Sequence, residues 1–160
     1  MKVEQLMTRD VVACRAHDRL NRAAQIMWER DCGCVPVVDE HDLVIGMVTD
    51  RDVCMAAYMT NAPLSTLAVG DIMCKRPVVC GPFDTVAEAE LLMQRHRIRR
   101  LPVVGFENQL IGLLSLNDLA RAARLARDGR ERGVSADAIE ATLAAIGEPH
   151  APHAPHAVAG

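Results

Sequence analysis

The stretch from Leu6 to Ala57 returns, without a gap, 66 positions later from Ile72 to Ala123. That step pairs Met7 with Met73, Val12 with Val78, Cys14 with Cys80, Asp18 with Asp84, Ala23 with Ala89 and Met27 with Met93. It carries on through Pro36-Val37-Val38 and Pro102-Val103-Val104, Ile45-Gly46 and Ile111-Gly112, and Asp52 and Asp118. Register held this long requires two units of one supersecondary design. Such units bury their apolar faces against each other, so a pseudo-two-fold is expected and any site should appear twice.

The 160 residues are 50% hydrophobic and 24% charged, a globular balance that suggests one compact core shared by two halves. Met1-Lys2-Val3-Glu4-Gln5 carries charge where a signal peptide needs an apolar run, and no stretch is long enough to span a bilayer. A cytoplasmic protein without membrane contact is therefore expected, and its six cysteines read as reduced thiols. With a formal net charge of −3 and only one Trp, one Tyr and two Phe, the chain offers nucleic acid neither a positive field nor stacking platforms. A small molecule or a protein is left as partner.

Each unit reads as β-α-β-β-α. In the first, Val11 to Cys14 is β-prone, Asp18 is placed to cap a helix, and Leu20, Ala23, Ala24 and Met27 fall at helical spacing. Val35 to Val38 and Leu43 to Val48 form a hairpin around the polar turn Asp39-Glu40-His41-Asp42, and a second helix begins near Asp50. The second unit repeats this as strand Val78 to Cys80, helix Asp84 to His96, strands Leu101 to Val104 and Leu110 to Leu114, and helix Asn117 to Ala126. The implied divisions are 1–60 and 70–126 for the units, 61–69 for a linker, 127–146 for a charged linker and a helix capped by Ser135, and 147–160 for a disordered Pro/His/Ala tail. Ile139, Leu143 and Ile146 recur on one face of that last helix, and such a stripe needs a partner, either the chain's own surface or a second copy.

Two short segments concentrate the chemistry: Gly46-Met47-Val48-Thr49-Asp50-Arg51-Asp52 and Gly112-Leu113-Leu114-Ser115-Leu116-Asn117-Asp118, each where a strand ends and a helix starts. One reading is a capping box, in which a hydroxyl and a carboxylate three residues on satisfy the free donors of the first turn. The other is a phosphate site on the helix N-terminus, with Thr49 or Ser115 as an added donor and Asp52 or Asp118 accepting from a ribose diol.

With a Pro-Val-Val strand followed by Gly-x-x-(Thr/Ser)-x-x-Asp in both copies, the chain resembles a tandem pair of cystathionine-β-synthase (CBS) domains, a Bateman module of the stand-alone type, from Val3 to about Ala123. The resemblance implies an α/β (α+β) fold and regulatory binding of AMP, ADP, ATP, NAD or S-adenosylmethionine between the paired domains. It also implies signalling to a regulated protein that the sequence does not identify, and dimerisation into a flat four-domain disc. Carried over by position, one composite site combines Thr49 and Asp52 with Val78, Ile98 and Arg100; the other combines Ser115 and Asp118 with Val12, Cys32 and Gly33. His96-Arg97-Ile98-Arg99-Arg100 gives the first site the cations, so the second is expected to be the weaker.

Cys32-Gly33-Cys34 invites a metal or redox reading, but four convergent zinc ligands and a Cys-x-x-Cys pair are lacking. The tail histidines 150, 153 and 156 would align on a polyproline helix and admit adventitious metal. No catalytic triad, metal-binding helix or phosphate-binding glycine loop occurs, so no enzyme is expected. Trp28 and Tyr58 read as core or interface residues. The competing functions are a nucleotide sensor, a redox-responsive module and a structural dimerisation module with empty clefts.

Overall fold

The computed structural model describes residues 1–127 and 134–148. The expected linker segment 128–133 and the tail histidines lie outside the described residues. The first unit runs β1 (Cys14–Arg15), α1 (Leu20–Glu29), β2 (Cys34–Val38), β3 (Val44–Thr49) and α2 (Asp50–Thr60). A short helix, α3 (Val69–Ile72), precedes the second unit, which runs α4 (Val86–His96), β4 (Arg100–Val104), β5 (Leu110–Ser115) and α5 (Leu116–Arg127). Helix α6 (Ala136–Gly147) follows. The class is mixed α/β, and no helix among the described residues is long and apolar enough to cross a membrane.

Both hairpins keep the 66-residue register. Cys34 pairs with Thr49 and Val37 with Gly46 in one, Arg100 with Ser115 and Val103 with Gly112 in the other, and each has a bulge at the same step. Strand β2 is buried throughout, whereas β3 alternates buried and half-buried residues, as a strand with one face on the core must. Helix α1 buries Leu20, Ala23, Ile26 and Met27 on that core.

The segments that lead into the units change places. Thr8, just before the first unit, pairs with Leu113 of β5, and its counterpart Cys74 pairs with Met47 of β3. Val3 and Met7 accordingly lie in the second unit's core with Met93, Leu101 and Leu119, while Val69 and Met73 pack on the first unit's core of Leu20, Val35 and Val48. The single shared core expected from composition is therefore two cores, each completed by the other unit's leader.

Several local expectations are corrected. The first strand shrinks to Cys14–Arg15, and Val78 to Cys80 contributes only a bridge from Cys80 to Val103. Asp18 does not cap α1: its carboxylate accepts from the Arg15 backbone N–H at 2.7 Å, closing the preceding turn, and Arg19 holds the N-cap position. Asp84 does the same for Gly81, and Thr85 caps α4 in a box with Glu88. Trp28 and Tyr58 are not core residues, being 88% and 78% exposed. On α6, which Ser135 caps as expected, Ile139 and Ile146 are buried but Leu143 is exposed, and the fully buried Thr142 takes the middle of the face instead. That face packs on the second unit's own α4 and α5.

Candidate functional site: a cavity between the repeats

Ser115 and Thr49 occupy the same position in the two units, and their helices begin alike. The Asp118 carboxylate accepts from the Ser115 backbone N–H at 2.8 Å and from its hydroxyl at 2.6 Å, and the Ser115 hydroxyl in turn accepts from Asp118 N–H at 3.2 Å. Asp52 and Thr49 make the same three bonds at 2.8, 2.7 and 3.2 Å. The capping-box geometry is thus realised twice. A fourth bond separates the copies: Arg121, one turn along α5, pairs with the other Asp118 oxygen. The 66-residue step puts Met55 at the matching place in the first unit.

A cavity of about 470 Å³ opens beside Ser115 and Asp118. The first unit supplies Val12, Cys32, Cys34 and Pro36 to its wall, and the second supplies Leu113 and Asn117. Three cations line it, Arg30, Arg100 and Arg121, and Arg30 is tied to Asp10 at 2.8 Å. Gly33, between the lining residues Cys32 and Cys34, is not itself part of the lining; a Cβ there would lie 2.7 Å from an Asp50 oxygen and 3.3 Å from Arg100 Nη2. Burial pushes the Cys34 thiol up to about 12 against the downward pull of Arg100, so it is a neutral wall residue at ordinary pH.

The cavity brings together Ser115, Asp118, Val12 and Cys32. It does not include Thr49, Asp52, Val78 or Ile98; the last two pack against the second unit's core. Arg100 was expected to enrich the Thr49 cleft in positive charge. It lines the Ser115 cavity instead, with Arg30 and Arg121. Arg121 was missed by motif reading, although its i+3 spacing from Asp118 places both on one helix face. Among the described residues no cluster of three or more His, Cys, Asp or Glu could hold a metal ion.

Fold and cleft define a duplicated α/β module with a cavity between its repeats. The family model for the CBS domain matches residues 3–58 and 69–125, and the chain belongs to that family as a tandem pair. CBS domain-containing protein YhcV of Bacillus subtilis is 34% identical over 118 residues, covering 74% of this chain and 82% of YhcV. Inosine-5'-monophosphate dehydrogenase of Korarchaeum cryptofilum is 36% identical over 118 residues, but the chain spans only 23% of that larger enzyme's length. Among solved structures, CBSX2 in complex with AMP is 25% identical with a TM-score of 0.68, over 79% of this chain and 98% of CBSX2. Hypoxic Response Protein I with two coordinated zinc ions is 28% identical with a TM-score of 0.69, over 76% of this chain and 98% of that one.

Proposed function

We propose that this chain is a non-enzymatic regulatory module of the cytoplasm that binds a phosphate-bearing adenosine nucleotide, AMP, ADP, ATP or NAD, in the Ser115–Asp118 cavity. It acts as a homodimer and passes the bound state to a partner protein. The observation that carries this reading is the convergence on one cavity of a helix N-terminus, a buried aspartate and three arginines. The first turn of α5 presents N–H groups and a favourable dipole to phosphate. Asp118 accepts from the ribose diol, and Arg121 turns from it to the phosphate. Val12, Cys32, Pro36 and Leu113 supply apolar surface for the base.

The volume lies within the roughly 300–1,000 Å³ of small-molecule sites. S-adenosylmethionine, which has the adenosine but no phosphate for the arginines, remains the second ligand class, with Asp10, Asp31 and Asp118 in the lining to face its sulfonium cation. The AMP held by CBSX2 supports the adenosine class. Redox chemistry at the buried thiols is disfavoured because burial raises Cys14 to about 11 and Cys34 and Cys80 to about 12, leaving them little thiolate at neutral pH.

The test is mass spectrometry of small molecules released from the purified protein, together with melting curves. Millimolar AMP should raise Tm by several degrees if Kd is about 10 µM. Flat curves across AMP, ATP, NAD and S-adenosylmethionine would overturn the reading.

A further inference from the structure

The charges that line the Ser115 cavity cancel. Arg30, Arg100 and Arg121 stand against Asp10, Asp31 and Asp118, so the lining carries no formal net charge. Two of the arginines are already engaged, Arg121 with Asp118 and Arg30 with Asp10 at 2.8 Å. Arg100 has no carboxylate at ion-pair distance among the described residues. The two pairs lie at different depths. Asp118 is buried against Ser115, whereas the Asp10 side chain is 83% exposed and that of Arg30 49%, which puts their pair at the mouth of the cavity.

The repeat shows that the fold does not require the mouth pair. The 66-residue step keeps the residue type at Pro36 and Pro102, Gly46 and Gly112, and Asp52 and Asp118, the positions that build hairpin and cap. The same step lands Asp10 on Arg76 and Arg30 on His96. The acid at position 10 therefore belongs to this one cleft, and what it does there is neutralise Arg30.

Successive phosphates of a nucleotide then meet different surroundings. The one next to the ribose reaches Arg100, Arg121 and the N–H groups of the first turn of α5, and Asp118, released by Arg121, takes the ribose diol. A second or third phosphate has to extend toward the mouth, where Arg30 is engaged and Asp10 repels it. We propose that Asp10, by holding Arg30, sets the phosphate number of the ligand and makes the Ser115 cavity selective for a nucleoside monophosphate over the triphosphate. This rests on the nucleotide reading of the cavity and narrows it.

Titration calorimetry of the full chain with AMP and with ATP, at one ionic strength and without divalent cations, tests it. AMP should bind about tenfold or more tightly than ATP. Asp10→Asn frees Arg30 and removes the repelling charge, so the ratio of ATP to AMP affinity should rise by about threefold to tenfold, the lower figure at high salt. Arg30→Gln leaves Asp10 uncompensated and should lower that ratio; it decides alone should Asp10→Asn fail to fold. A pair that served only structure would shift both ligands together and leave the ratio fixed. ATP binding as tightly as AMP, or a ratio that neither variant moves, overturns the proposal while the nucleotide reading stands. Binding of neither ligand overturns both.

Discussion

Arg121 closes on Asp118 across one turn of α5, and the carboxylate it holds is only 8% exposed while being bonded to Ser115 on its other oxygen. Replacing Asp118 with Asn keeps the shape but removes the charge that these donors share. Stability should fall by about 1–2 kcal/mol. AMP affinity should fall by about tenfold or more, read by titration calorimetry beside urea melts. Asp118 is a helix cap and nothing else if stability drops and affinity holds. Asp52→Asn, which lies outside the cavity, should cost about 1 kcal/mol or less and spare that affinity.

Arg100 should discriminate ligands by phosphate. Arg100→Ala removes a charge-assisted contact, so AMP and ATP should lose about tenfold or more while plain adenosine loses little. Equal losses for all three ligands would show that Arg100 acts through packing of its stem.

Glu90 predicts an unusual pH response. It lies on α4 in line with Gln94, which bonds Thr142 of α6, and Arg97, which bonds Glu148 just past its end; it is 7% exposed, one of its oxygens has no partner, and burial raises its pKa. A carboxyl raised in the folded state contributes stability that is complete below its unfolded pKa and lost as pH rises through the folded value. At pH 7 Glu90→Met should therefore stabilise the protein by about 1–2 kcal/mol, a few degrees in Tm. That advantage should shrink as pH falls through Glu90's raised pKa toward the ordinary carboxylate range. A gain that stays constant with pH would place the effect in packing.

Gly112 faces the leader of the first unit so closely that a Cβ would lie 2.7 Å from Met7 Sδ and 3.0 Å from the Thr8 carbonyl. Gly46 meets Met73 and the Cys74 carbonyl in the same way. Either glycine changed to Ala should cost about 1–3 kcal/mol, seen as a lowered urea midpoint. An unchanged midpoint would mean that the leaders yield without loss.

Much of this was legible in the sequence because its causes are local or periodic. The 66-residue step gives both hairpins in register, and the Thr49–Asp52 and Ser115–Asp118 spacings give both capping boxes. What escaped depends on contacts between distant segments. Met7 and Met73 look identical in sequence, and nothing local says that each serves the opposite core. Asp18 was one residue too early to cap, since its carboxylate reaches back to Arg15. The cations of the Ser115 cavity come from α1, β4 and α5 at once, so no single motif displays them.

The exchange of leaders also imposes an order of assembly on the nascent chain. The segment bearing Cys74 is made soon after β3 and can close that strand's edge while synthesis continues. Thr8, though made first, has no partner until Leu113 emerges. Thr8 must therefore wait until β5 has been made, and closing its bridge to Leu113 spans most of both units, a long loop whose closure entropy is correspondingly large.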